Sequence, residues 1–174
     1  MKKQTKILLF CICCLAFISC DRLTKDLAKE HLKDKPTITY LNNTLRLQYV
    51  ENTGAALSFG DDLPRAASFW LLSILPLVVL LALLVYTIIN LQQMGVMKIF
   101  SIALVFSGGI GNIIDRILFD RHVTDFMNLG IGNIRTGIFN VADICVTAGV
   151  IGLLLFFNDK KNKPTVNTNE LPAP

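Results

Sequence analysis

The chain has 174 residues, of which 52% are hydrophobic and 17% charged, and its mean hydropathy is +0.52. A soluble domain carries roughly 25% charged residues, so the deficit points to one compact membrane unit and leaves no length for a separate soluble enzyme domain. The formal net charge of +4 comes without a basic stripe interleaved with aromatics. That argues against nucleic acid and for lysines that orient a membrane protein.

The first apolar run covers about residues 7–23 once flanking polar residues such as Asp21 are included. A spanning helix needs about 20 residues. This run holds Cys11, Cys13, Cys14 and Cys20, and Cys145 lies in the last run. They read as small packing residues. A Cys-x-Cys-Cys pattern inside an apolar helix has no His or carboxylate nearby to complete a metal site. A cleaved signal peptide is the competing reading, because Ile18-Ser19 precede Cys20 as in a lipoprotein signal. Against it, Phe17 is bulky and removal would leave three spans.

Leucines and an alanine at helical spacing over Leu23 to Leu32 extend the first run outward, and Pro36 is expected to end it. Ile38 to Leu41 and Leu45 to Val50 read as two short strands around Asn42-Asn43, whose side chains tolerate a tight turn. Further spans are expected at about 66–89, 98–116 and 139–158. The fold class is therefore membrane α-helical: four transmembrane helices and a small sheet with a loop, forming one domain over 1–160. The polar, Pro-containing stretch 161–174 is expected to be a disordered cytoplasmic tail.

Lys2, Lys3 and Lys6, then Lys98, then Lys160, Lys161 and Lys163 flank the spans on one side. By the positive-inside rule both termini are cytoplasmic. Segments 22–65 and 115–138 then face outward, together with Asp21, Asp115, Asp125 and Asp143.

Ionisable groups at membrane depth are costly and mark function. Asp125 follows the third span and Asp143 opens the fourth. Two carboxylates brought together can share one proton and activate a water, which is the chemistry of peptide hydrolysis. Asn140 and Asp143 are three apart and share a helix face, as do Asn112, Asp115 and Arg116. Gly108 and Gly111 permit close approach on that face, and Arg116 offers a fixed fork of donors. Blander readings stand beside these. Asp115 reads as the ion-pair partner of Arg116, Asp143 as a helix cap, and Asp21 with Lys25 as a helical pair supporting the outer surface. Asn52 and Gly54 read as shaping a loop near the cleft, and His122 as a surface residue. No His-Glu-x-x-His pattern suggests a metallopeptidase, and neither Ser58 nor Ser107 has the lysine context of a Ser–Lys enzyme. A non-enzymatic transport or assembly subunit with a polar cavity remains the second class.

Five clusters stand in order around the spans: Asp21-Arg22-Leu23-Thr24-Lys25, Asn52-Thr53-Gly54-Ala55-Ala56, Gly108 to Arg116, Val123-Thr124-Asp125-Phe126 and Phe139-Asn140-Val141-Ala142-Asp143. In this order and spacing they resemble the lipoprotein signal peptidase (signal peptidase II) family. The resemblance implies a multi-pass intramembrane aspartic endopeptidase of the bacterial inner membrane, with its active site and a β-cradle on the extracytoplasmic face. It implies that Asp125 and Asp143 form the catalytic pair. Asn52, Gly54, Gly108, Asn112, Arg116, Asn140, Asp21 and Lys25 would bind substrate or support the site. The implied partners are membrane lipid and prolipoproteins, cleaved before a diacylglyceryl-modified cysteine, with globomycin as inhibitor. No metal or organic cofactor is implied, and a monomer is expected.

Overall fold

The computed structural model describes residues 1–54 and 63–157. The expected tail at 161–174, together with Ala55, Ala56 and Ser58, lies outside the described residues. Helix α1 (Lys3–Leu32) is one uninterrupted helix of 30 residues. At 1.5 Å per residue it is about 45 Å long, well beyond a hydrocarbon core of about 30 Å. Its surplus turns carry Ala28 and Leu32 into a buried cluster with Phe126, so one helix both spans and braces the sheet. The helix stops at Leu32, where Lys33 turns extended and Asp34 adopts φ 59°. The expectation that Pro36 ends it is corrected: the break is made earlier, at Asp34.

Helix α2 (Arg65–Asn90) is the most apolar of the spans. It contains a wide π turn at Trp70–Ile74, in which the Leu75 N–H bonds to the Trp70 carbonyl. Pro76 follows at once. A proline has no N–H to give and its ring crowds the carbonyl four residues back. The wide turn absorbs that conflict. At the other end, buried Lys6 donates to the carbonyls of Leu91 and Gln92 at 3.1 Å and also to that of Met94. One of the flanking lysines thus ties the start of α1 to the link after α2.

Helix α3 (Val96–Leu118) is the centre of the bundle. Half of its apolar stretch is buried within the protein, against 11% for α1 and 17% for α2. Helix α4 (Val141–Leu155) packs along it. The contact is close because of glycine: a Cβ on Gly108 would stand 2.3 Å from the Ala142 carbonyl, and one on Gly149 would stand 2.7 Å from the Ser101 carbonyl. Small residues that let backbones touch are how helices associate in lipid, where burial of apolar surface gives no advantage. The outer faces of α1 and α2 display Leu8, Ile12, Leu15, Val78, Val79 and Ile88, a lipid-facing pattern.

The sheet has four antiparallel strands in the order β1 (Ile38–Tyr40), β2 (Leu45–Asn52), β3 (Val123–Ile131) and β4 (Ile134–Arg135). The hairpin joining β1 and β2 runs through Leu41, Asn42 and Asn43, all at positive φ, as expected for the Asn-Asn turn. Two strands were expected and four are present, with β3 paired on both sides. The fourth apolar segment, expected from residue 139, begins its helix only at Val141. Phe139 instead bridges to Met127 beside the sheet, and Asn140 caps the helix.

Candidate active site

Four elements, β2, β3, α3 and α4, converge on the aspartates. Asp125 sits on β3, opposite Val50, and is 3% exposed. Asp143 sits in the first turn of α4. Between them lies Asn140, the N-cap of α4. Its side-chain oxygen accepts the Asp143 backbone N–H at 3.0 Å, and Asp143 Oδ2 accepts the Asn140 backbone N–H at 3.0 Å. This capping box satisfies two donors that a helix start would otherwise leave open. Because Oδ1 of Asn140 is committed to an N–H, its Nδ2 must point the other way. It donates to Asp125 Oδ1 at 2.6 Å and to Asn112 Oδ1 at 3.2 Å.

The remaining oxygens are held in the same manner. Asn52, the last residue of β2, takes the Gly54 N–H on its Oδ1 at 2.9 Å and donates Nδ2 to Asp125 Oδ2 at 2.9 Å. Asn112, on α3, donates Nδ2 to Asp143 Oδ1 at 2.8 Å. Each of the four carboxylate oxygens therefore faces one neutral donor. Burial pushes the Asp125 carboxyl up to about 6, with the neighbouring Asp143 charge adding to the rise; the Asn52 and Asn140 hydrogen bonds and the more distant Lys25 charge oppose it. Both Asp125 and Asp143 open onto a cavity of about 730 Å³, together with Asn52, Asn112 and Arg116. Its far wall is apolar, formed by Leu72 and Pro76 on α2 and by Ile144, Val146 and Ile151 on α4.

Arg116 reaches the Gly54 carbonyl at 2.7 Å. Its Nε is buried with no hydrogen-bond partner among the described residues. The expected Asp115–Arg116 ion pair is not formed. Asp115 lies deeper and pairs with Arg22 at 3.0 Å and Lys25 at 2.9 Å, and it accepts the Thr124 backbone N–H at 3.3 Å. Adjacent residues project about 100° apart around a helix, and here Asp115 turns to α1 while Arg116 turns to Gly54. Sequence reasoning did not give Arg22 this role, although it stands inside the first polar cluster.

Asp21 and Lys25 do pair, at 2.8 Å, but as a buried pair and not as support for an outer surface: each is 2% exposed. Asp21 also accepts the Ala142 backbone N–H at 2.8 Å, which pins the start of α4 to α1. Gly111 makes room for it, since a Cβ there would lie 2.7 Å from Asp21 Oδ2. His122 is half-buried, its Nδ1 2.9 Å from the Phe119 carbonyl. Among the described residues, no three His, Cys, Asp or Glu side chains converge as metal ligands would.

A family model described as signal peptidase (SPase) II matches residues 13–158. A lipoprotein signal peptidase of Clostridium acetobutylicum is 38% identical over 146 residues, covering 82% of this chain and 90% of its own. One from Chlorobaculum parvum is 37% identical, covering 89% and 98%. A solved bacterial membrane enzyme superposes with a TM-score of 0.71 at 29% identity, covering 98% of this chain and 95% of the other. A multi-pass bacterial membrane fold, five polar clusters in order and a paired-aspartate cavity thus coincide with that match, and the chain belongs to the signal peptidase II family.

Proposed function

We propose that this protein is an intramembrane aspartic endopeptidase that removes signal peptides from prolipoproteins, cutting before a cysteine that carries a diacylglyceryl group. The observation that carries the reading is the lining of the cavity. Two aspartates open onto it together with apolar side chains of α2 and α4, Leu72, Pro76, Ile144, Val146 and Ile151. A substrate with a peptide at one end and acyl chains at the other matches that polarity.

Asp125 and Asp143 are the catalytic pair. One carboxylate is ionised and takes a proton from water, whose oxygen attacks the scissile carbonyl carbon. The other is protonated and donates to the carbonyl oxygen. Collapse of the tetrahedral intermediate breaks the C–N bond, and the proton taken from water passes to the departing amine. Arg116, whose Nε has no partner among the described residues, offers a donor to a substrate carbonyl. Asn52, Asn112 and Asn140 hold the aspartates, and Gly54, Gly108, Asp21 and Lys25 support that frame. The site faces outward from the inner membrane, as the distribution of lysines argues. The acyl chains enter sideways from lipid, the protein acts as a monomer, and globomycin competes for the same cleft.

The test is incubation of the purified protein with a synthetic prolipoprotein peptide, with and without the diacylglyceryl group. Cleavage of the lipidated form alone, before the cysteine and blocked by globomycin, is expected. Cleavage of neither form by folded protein overturns the reading.

A further inference from the structure

Buried Lys25 touches neither aspartate, yet it contacts the side chain that orients one of them. Its ammonium lies 2.8 Å from Asp21 Oδ2, 2.9 Å from Asp115 Oδ2 and 3.0 Å from Asn112 Oδ1. Three acceptors match the three N–H donors of a lysine.

The third contact has a chemical consequence. An amide side chain can present either its oxygen or its NH2 to a neighbour, and the two are near-equal in shape. An ammonium accepts nothing, so only the oxygen of Asn112 can face Lys25. The NH2 then has to face Asp143, where it stands 2.8 Å from Oδ1. Flipped, Asn112 would set its oxygen against the Asp143 carboxylate and its NH2 against both the Lys25 ammonium and the Asn140 NH2, all repulsive. Asn140 and Asn52 are fixed by backbone N–H groups close at hand. The Asn112 oxygen takes its orientation from Lys25, a charged side chain on a different helix, α1, at 3.0 Å, and from Asn140 Nδ2 at 3.2 Å.

We propose that Lys25 is a positioning residue for the catalytic pair: by occupying the oxygen of Asn112 it turns the Asn112 NH2 onto Asp143 and so fixes where that carboxyl stands. The proposal rests on the peptidase reading above. The start of α4 agrees with it: the Asn140 backbone N–H holds Asp143 by Oδ2, and the Asn112 NH2 holds it by Oδ1. Lysine reaches this position because Gly111 leaves space for its partner Asp21 beside α3.

The test compares Lys25→Met/Asp21→Asn, which removes the cation together with the carboxylate it would strand, with Lys25→Gln, which keeps an N–H donor for Asn112 without the charge, and with Asp21→Asn alone. All are assayed on the lipidated peptide, with helicity and Tm recorded. Loss of Lys25 leaves the Asn112 oxygen held only by the longer Asn140 contact, at 3.2 Å, and a misplaced catalytic group costs about a hundredfold. Lys25→Met/Asp21→Asn is expected to lose about that factor in kcat relative to Asp21→Asn with little change in KM. Lys25→Gln is expected to restore most of kcat. In an Asn112→Ala background, replacing Lys25 should cost nothing further in kcat.

Folded Lys25→Met/Asp21→Asn protein with the kcat of Asp21→Asn overturns the proposal, as does an equal loss in the Asn112→Ala background. If the double variant does not fold, Lys25→Gln decides: folded protein with a loss as large as that of Asn112→Ala shows that charge and not donor orientation matters, and overturns the proposal as well. The peptidase reading fails separately, through a wild-type protein that cleaves nothing.

Discussion

A single amide, that of Asn140, holds both aspartates: its Nδ2 lies 2.6 Å from Asp125 Oδ1 while its Oδ1 accepts the Asp143 backbone N–H at 3.0 Å. The strand that bears one carboxylate and the helix that bears the other are thereby locked together at one residue, which is fully buried. Replacing Asn140 by Ala removes the cap and the bond to Asp125 at once. The cap alone is worth about 1 kcal/mol, so Tm should fall only modestly. The rate should fall much further, by about a hundredfold in kcat, because the two carboxyls lose their mutual placement. Steady-state kinetics together with a thermal melt separate the two effects. A Tm loss with unchanged kcat would show that Asn140 serves the fold alone.

Gly108 is one of the points at which α3 and α4 approach closely. Gly108→Val would place its Cβ against the Ala142 carbonyl, which is backbone and cannot swing aside. Overpacking of this kind costs about 1–3 kcal/mol. The helix that moves is the one carrying Asp143, so activity should drop along with Tm. A melt and an activity assay on the same preparation check this, and a Gly108→Val protein of wild-type Tm would contradict the packing account.

The pH dependence follows from Asp125. Burial holds its carboxyl up at about 6, above its ordinary value near 3.9. If Asp125 supplies the proton, activity is present while it stays protonated and declines as pH rises through that value. The profile of kcat/KM, which reports the free enzyme, should therefore show an alkaline limb near pH 6. A profile flat from pH 5 to 9 would remove Asp125 from the proton-transfer step.

The limits of the sequence are physical and can be read residue by residue. The spans were legible because lipid demands long apolar runs, and the Asn42-Asn43 hairpin because its turn chemistry is local. Strand β3 was not, since Val123, Thr124, Asp125 and Phe126 are all buried and so lack the alternation that marks a half-exposed strand. The polar clusters pointed to Asp125, Asp143, Asn112 and Asn140, which the structure brings together. The partner of Asp115 was missed because it comes from α1, more than ninety residues away. Proximity in sequence favoured Arg116, which instead turns toward Gly54.

The most direct test of the central claim is cleavage of the lipidated peptide by Asp125→Asn and Asp143→Asn, each purified and shown to be folded. Both substitutions keep size and hydrogen-bonding capacity while removing the ionisable proton. If Asp125 and Asp143 are the catalytic pair, each variant loses at least about a thousandfold in kcat, with helicity and Tm retained. Turnover by either folded variant within about tenfold of wild type, far less than loss of an acid or base would cost, would contradict the account.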